Sequence, residues 1–293
     1  MPVREYATPQ AFHAAVEAKL HDRTRSLDVA AYVLQRQAAL ERLMAQLGRI
    51  APNRWAVKGR FALETRLGDR ARVSVDLDAD HVDGAAAVRV DLQRAAAEDV
   101  GDHFDFAIAG SEELRDAGVR LAVRYRLESS LVGSLFEPLR VDVTVAPAEP
   151  WDAQPARRPG LLAELGLGPI DLLLVPLERQ VAEKLHAYTR TYRGGGTTRA
   201  RDVVDLLLIR RHKRLKAVRL RDAILAVFRR RATHAVPVRL PPPPPTLALA
   251  YRKEAERLGV ASGLDEAHKL LAGWLDPILE RAHQTGAAGE PSD

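Results

Sequence analysis

Two aspartates one residue apart have the clearest chemical potential in this sequence. In Ser74-Val-Asp76-Leu-Asp78 the carboxylates stand at i and i+2. The alternation over 72–78 predicts a β-strand, so both side chains should project from the same face. Neighbouring carboxylates repel each other unless cations neutralise them or one proton is shared. Because Mg²⁺ prefers oxygen ligands and shares them with substrate phosphates, the pair predicts a site for Mg²⁺, or for the similar Mn²⁺, and phosphoryl chemistry.

A glycine turn and a third acid support this interpretation. Lys58-Gly59 follows the apolar strand Trp55-Ala-Val57 and precedes a helical stretch, an arrangement that aims backbone N–H groups at an anion. Asp142 lies in Arg140-Val-Asp142-Val-Thr-Val, a later predicted strand that could pair beside the first. Taken singly, these features are also compatible with a plain tight turn and an outward-facing strand acid.

Two predicted helices carry the remaining charged candidates. Lys184 lies in Glu183-Lys184-Leu-His186, and Asp202 and Asp205 lie in Arg199-Ala-Arg201-Asp202-Val-Val-Asp205-Leu206 on the next helix. Each pattern alone is common on helix surfaces. Their order after the acid pair makes the set informative.

This ordered set, from Trp55 to Leu208, resembles the AbiEii family of minimal nucleotidyltransferase toxins of type IV toxin–antitoxin systems, which includes the MenT toxins. The resemblance implies an α+β fold, with a nucleotidyltransferase-like mixed sheet and flanking helices in an N-terminal lobe and a mostly α-helical C-terminal lobe. It implies that Asp76 and Asp78 hold the metal and that Lys184 faces the triphosphate. It also places Asp202 in the cleft between the lobes.

The turn departs from the family pattern. Lys58, Gly59 and Arg60 match the family's Gly-Gly-Ser/Thr turn at the nucleotide phosphates, so the second glycine is Arg60 here, followed by Phe61. The resemblance implies that Asp142 or a second ion activates the acceptor hydroxyl. We also assign Ser74 to the nucleotide site, because it lies two residues before Asp76 and so on the same predicted face.

Relatives of this kind add nucleotides from an NTP to the 3′ end of tRNA, which blocks aminoacylation and translation. We therefore expect a Mg²⁺-dependent nucleotidyltransferase toxin, with tRNA or another RNA as acceptor and a cognate antitoxin as a possible partner. Three alternatives stay open: AMP transfer to a protein, AMP transfer to a small molecule, and an inactive RNA-binding module.

The charge distribution favours a polyanionic partner. The net charge is only +5, yet the segment 210–239 contains eleven Lys and Arg residues against one acid, Asp222. This local excess of +10 leaves about −5 for the rest of the chain. A folded basic block suits an RNA surface, because neutralised phosphates release counterions. Solvated helix faces are the alternative.

Composition and periodicity bound the architecture. The absence of cysteine excludes disulfides, zinc fingers and thiol nucleophiles, and the lack of a long apolar run or a secretory leader predicts a cytoplasmic protein with no membrane association. Helical spacing over 10–47 precedes β-rich runs over 55–145. A proline-rich connector over 147–159 precedes a helical remainder. We expect domains at 1–150 and 151–285, with a flexible tail at 286–293.

Overall fold

A computed structural model describes residues 6–114, 122–145, 152–190, 199–261 and 263–287. Its helices are α1 (Pro9–Leu27), α2 (Ala31–Ile50), α3 (Gly59–Leu67), α4 (Ala85–Ala97), α5 (Leu177–Thr189), α6 (Ala200–His212), α7 (Ala217–Arg231), α8 (Ala248–Leu258) and α9 (Leu264–Ala287). Its strands are β1 (Trp55–Lys58), β2 (Leu77–His81), β3 (Phe104–Leu114), β4 (Ala122–Leu131), β5 (Ser134–Val145), β6 (Gln154–Arg158) and β7 (Ile170–Leu174).

The described strands form one mixed sheet in the order β3-β4-β5-β2-β1-β7-β6. Strand β2 runs antiparallel to β1 and parallel to β5, and β1 runs parallel to β7. The fold is therefore α+β with a mixed sheet, as the sequence predicts. Strands β2 and β5 are far apart in the chain but adjacent in the sheet.

Alternating side chains give the sheet one apolar and one polar face. On β5, Val141, Val143 and Val145 are buried, and helices α2 and α4 pack against this strand. Residues of the opposite parity, such as Asp142, point to the other face because the side-chain period of a strand is two. The core thus packs against one face of β5 and leaves the polar side chains of this strand on the other.

Three sequence expectations about the strands are wrong. The proline-rich segment predicted as a connector contains β6, which pairs antiparallel with β7 at the sheet edge, where Pro155 is tolerated. Strand β7 itself falls where the sequence predicted only helices. The strand predicted over 72–78 instead begins at Leu77, because the chain bends at residues 75–76 next to Ser74, whose side-chain and backbone hydrogen bonds hold this segment, so Asp76 lies outside the strand.

The chain divides into two compact units, one ending at Val175 and one beginning at Pro176. The sequence pattern predicts this boundary at 150/151. The first unit extends further because β6 and β7 complete its sheet. The second unit contains α5–α9. Helix α9 continues to Ala287, and the rest of the expected tail, 288–293, lies outside the described residues.

Among the described helices, none combines the length and apolar character that a bilayer crossing requires.

Candidate active site

Four charged residues form a row across four strands on the polar face. Lys58 on β1 is in register with Asp78 on β2, Asp78 with Asp142 on β5, and Asp142 with Arg124 on β4. Directly opposed side chains on neighbouring strands lie close enough to interact. The row thus places two carboxylates side by side, with a cation at each end.

Asp78 lies against the first residue of α3. Gly59 has φ +63°, a left-handed conformation that favours glycine, and a Cβ there would lie 3.0 Å from the Asp78 Cγ and closer still to a carboxylate oxygen. The glycine is therefore required both by its backbone and by the approach of Asp78. The arrangement puts this carboxylate at a helix N-terminus, where the partial positive charge stabilises an anion.

Lys58 is held by partners on β2 and β5. Its Nζ donates to Asp80 Oδ1 at 2.6 Å and to Thr144 Oγ1 at 2.7 Å. The Asp80 side chain is fully buried, so its negative charge needs this ammonium. Lys58 therefore stabilises the strand interface, and Asp80 is its structural counterion.

The other two acids also have arginine partners. Arg124 donates from Nε and Nη2 to the two oxygens of Asp142, both at 2.8 Å, and this hydrogen bonding raises the pKa of Arg124 above its usual value. Asp76, one residue before β2, forms an ion pair with Arg140. Arg124 comes from β4 and Arg140 from β5, so these two strands supply the cations that neutralise Asp142 and Asp76.

A hydrogen-bond network holds the bend that carries Asp76. The buried Ser74 donates from its hydroxyl to the Asp76 carbonyl at 2.8 Å, and its N–H donates to Glu64 Oε2 at 3.0 Å. Arg158 in turn donates to Glu64 Oε1 at 2.9 Å and lies over the ring of Phe61. Ser74 thus positions the peptide of Asp76, while its own hydroxyl is enclosed.

Arg60, the departure from the family turn, is half-buried and donates from Nη1 to the Val73 carbonyl at 3.4 Å. It therefore joins the start of α3 to the segment that leads to Asp76. An arginine in place of glycine is accommodated here because its side chain reaches the backbone of that neighbouring segment.

The donor set is compatible with a hard divalent cation. Mg²⁺ commonly binds through one or two carboxylates and completes its coordination with water and substrate phosphates. Asp78 on β2 and Asp76 in the bend before it offer carboxylate oxygens of this kind, and the described residues contain no cluster of three or more His, Cys, Asp or Glu side chains that could hold a metal ion. The number of carboxylates offered is the number that Mg²⁺ commonly uses.

Lys184 lies in the second unit in an ion-pair network. Its Nζ donates at 2.8 Å both to Asp202 and to Asp205 on α6. Burial alone would lower the pKa of Lys184, but the two carboxylates outweigh it and raise the pKa above its usual value. Lys184 is therefore a permanent cation that two carboxylates engage, and it is unsuited to proton abstraction.

Sequence reasoning missed the partners of the predicted residues. Asp80 continues the alternation of Asp76 and Asp78, and this spacing alone predicts that its side chain lies on the same face of the strand. Arg124 and Arg140 carried no signal of their own, since only the pairing of β4, β5 and β2 brings them to the acids. The helical motif contains Asp205, but only the structure identifies it as the second counterion of Lys184.

A mixed sheet that presents carboxylates of two adjacent strands beside a strand–glycine–helix turn defines a protein of the nucleotidyltransferase type. The model of the nucleotidyl transferase AbiEii toxin family of type IV toxin–antitoxin systems matches residues 42–272, well over half of the chain. The protein belongs to this family and is a nucleotidyltransferase toxin by that membership.

One solved structure supports the fold, and a second is reported as similar. MenT4, the nucleotidyltransferase toxin Rv2826c from Mycobacterium tuberculosis H37Rv, matches with a TM-score of 0.60 and 19% identity over 94% of both chains. JHP933 from Helicobacter pylori matches with a TM-score of 0.48 and 14% identity over 89% of this chain and 97% of that chain. No protein with a curated description matches the sequence.

Proposed function

We propose that the protein transfers a nucleotidyl group from an NTP to an RNA acceptor, the 3′ end of tRNA in the first instance, and so blocks translation. The observation that carries this proposal is the row of charges in which Asp78 lies against Gly59 and beside Asp142. Such a row combines a turn for phosphates with paired acids for the reacting centre. Family membership supports nucleotidyl transfer as the reaction, and it leaves the RNA acceptor as a proposal.

In the proposed mechanism, Asp76 and Asp78 hold a divalent cation, Mg²⁺ or Mn²⁺, whose chemistry when bound is to neutralise and align the nucleotide phosphates. The N-terminus of α3 at Gly59 faces the same phosphates with backbone N–H groups. Ser74 keeps Asp76 in place through the Asp76 carbonyl. Lys58 and Arg60 support the turn from within, through Asp80 and the Val73 carbonyl.

Asp142 is proposed to accept the proton of the acceptor hydroxyl as that oxygen bonds to the α-phosphorus and pyrophosphate leaves. Both Asp142 oxygens accept from Arg124, and each oxygen keeps a second lone pair that can take the proton. Lys184 is proposed to contribute positive charge toward the triphosphate, with Asp202 orienting it. This assignment rests on the family pattern together with the ion pairs inside the second unit.

The basic block supports an RNA acceptor. Along 210–239 the exposed cations include Arg214, Lys216 and Arg219 around the start of α7 and Arg229 near its end. Exposed arginines along one helix can follow a phosphate backbone, and their binding would weaken as salt rises. We propose the cytoplasm as the place of action, since tRNA is the substrate, and an antitoxin as the partner that restrains the enzyme.

A transfer assay tests the proposal. The protein is incubated with Mg²⁺, each α-labelled NTP in turn, and either total tRNA or cell lysate, and the products are resolved by size. We expect label at the mobility of tRNA, dependent on the divalent ion and lost in Asp76→Ala. Label on protein or on small molecules would show that one of these, and not RNA, is the acceptor. If no transfer occurs and RNA binding is the same without Mg²⁺ and in Asp76→Ala, the protein is an inactive binding module.

A further inference from the structure

A groove of about 540 Å³ opens beside Asp76. Its lining includes four guanidinium groups, those of Arg36, Arg124, Arg126 and Arg140. Arg36 is engaged by Glu137 at 2.9 Å and Arg124 by Asp142. Arg126 and Arg140 are the more exposed pair, with 57% and 46% of their side-chain surfaces accessible.

Arg126 and Arg140 face each other across β4 and β5. They are direct register partners, and like charges in such positions repel. Gly110 on β3 is in register with Arg126, and a Cβ at Gly110 would lie 3.0 Å from Arg126 Nη2. The missing side chain on β3 thus makes room for a guanidinium whose charge a bound anion would offset.

Three carboxylates also line the groove, and none of them secures Arg126. Glu112 Oε2 is 3.7 Å from Arg126 Nη1, beyond hydrogen-bond distance, and Asp76 is taken by Arg140. Glu128 is exposed. Phosphate oxygens can make bidentate hydrogen bonds to a guanidinium, at shorter distances than the contact between Glu112 and Arg126. The exposed pair is therefore able to bind a phosphodiester.

The groove lies on the side of the acids from which an acceptor must come. In the order β4-β5-β2-β1, the arginines of β4 and β5 lie on one side of Asp78 and the Gly59 turn on the other. Nucleotidyl transfer places the attacking and leaving oxygens in line, on opposite sides of the phosphorus. With the triphosphate at Gly59, the attacking strand approaches over β5 and β4.

We infer that Arg126 and Arg140 bind backbone phosphates of the RNA acceptor near its reacting end. The inference rests on the proposed function for the identity of the acceptor. It adds a binding site on the sheet of the first unit, separate in sequence from the basic block at 210–239. Because the contacts are to phosphates, the groove fixes the position of the RNA without reading its bases.

The test compares Arg126→Ala and Arg126→Glu with Arg126→Lys and with Arg157→Ala, a control at the opposite sheet edge whose side chain is 68% exposed. Binding of labelled total tRNA is measured by anisotropy from about 50 to 300 mM salt, without NTP. We expect Arg126→Ala to weaken binding roughly fivefold at low salt and to reduce the slope of log K against log salt by about 0.7–0.9. Arg126→Glu should weaken binding further, Arg126→Lys should retain most of it, and Arg157→Ala should match the wild type.

Steady-state transfer separates this inference from the proposed function. In a wild type that labels tRNA, Arg126→Ala should raise the acceptor KM about fivefold and leave the NTP KM unchanged. Unchanged tRNA binding in both Arg126→Ala and Arg126→Glu overturns the inference while the transfer activity stands. A raised NTP KM with normal tRNA binding assigns the groove to the triphosphate and also overturns it. A wild type without transfer refutes the proposed function, and the binding series still decides whether the groove holds RNA.

Discussion

Arg124 donates two hydrogen bonds of 2.8 Å to Asp142, one to each carboxylate oxygen. Asp142 in turn stands in register with Asp78. The guanidinium therefore neutralises one of two adjacent acids before any substrate binds. The Arg124–Asp142 ion pair therefore affects both the stability of the row of charges and the ability of Asp142, the proposed base, to accept a proton.

Asp142→Asn tests the base directly. The amide keeps one acceptor oxygen for Arg124 but cannot take a proton, so we expect kcat to fall by about 100-fold or more with little change in NTP KM. Single-turnover transfer measures the effect, and thermal unfolding checks the fold. Arg124→Met is the companion variant. A full rate in Asp142→Asn would remove Asp142 from the chemistry.

Asp76→Ala should abolish transfer without unfolding the protein. Asp76 precedes β2, and both it and its partner Arg140 are substantially exposed, so the lost ion pair should change stability by no more than about 1 kcal/mol. Transfer should fall at least about 100-fold. Asp171→Ala is the matched control, because Asp171 is an exposed strand acid with an arginine neighbour. Equal activity in the two variants would contradict the assignment of Asp76.

Gly59→Ala should damage both stability and activity. The left-handed backbone alone costs about 1–3 kcal/mol for a residue with a Cβ, and the added methyl would also displace Asp78. Gly133→Ala separates these effects, since Gly133 has φ +73° but open space around it. We expect both variants to lose stability in urea titrations and only Gly59→Ala to lose transfer activity beyond its folded fraction.

Lys184→Met should destabilise the second unit. The change leaves Asp202 and the buried Asp205 without their shared cation, and breaking a buried pair in this way costs about 3–5 kcal/mol. Urea unfolding measures the loss. Lys19→Met, which removes an ion pair with the exposed Glu164, is the surface control and should cost less than about 1 kcal/mol. Restoration of stability by adding Asp205→Asn would confirm the electrostatic cause.

Stability should rise with pH through the range in which His234 titrates. Burial, assisted by the positive charge of Arg190, lowers the pKa of His234 below its usual value. Below about pH 6.5 the unfolded chain therefore binds a proton that the folded chain binds less readily. The contribution of the neutral imidazole is present above that pH and is lost as the pH falls toward the folded pKa.

Urea titrations between pH 5 and 8 measure this dependence. His234→Asn should flatten it relative to the wild type, because the ring that lies 2.8 Å from Thr189 Oγ1 no longer titrates. His283→Asn removes an exposed imidazole and serves as the control. Parallel pH curves for wild type and His234→Asn would contradict the prediction.

The sequence by itself determined the local features of the site. The acids at 76 and 78, the glycine before a helix, and the alternation of β5 are patterns of neighbouring residues, and side-chain periodicity follows from the chain alone. The family pattern added the order of the motifs. Where a hydrogen-bonded bend replaced the start of a strand, at Ser74, the periodicity misplaced the strand boundary.

Only the tertiary structure decided which charges meet. Asp78 and Asp142 are more than sixty residues apart in the chain, and they become neighbours because β2 inserts between β1 and β5. The pairing of β4 with β5 brings Arg124 to Asp142, the pairing of β5 with β2 brings Arg140 close to Asp76, and the pairing of β7 with β1 adds β7 and β6 to the sheet. Strand order depends on long-range packing of one apolar face against α2 and α4, and no local pattern encodes that choice.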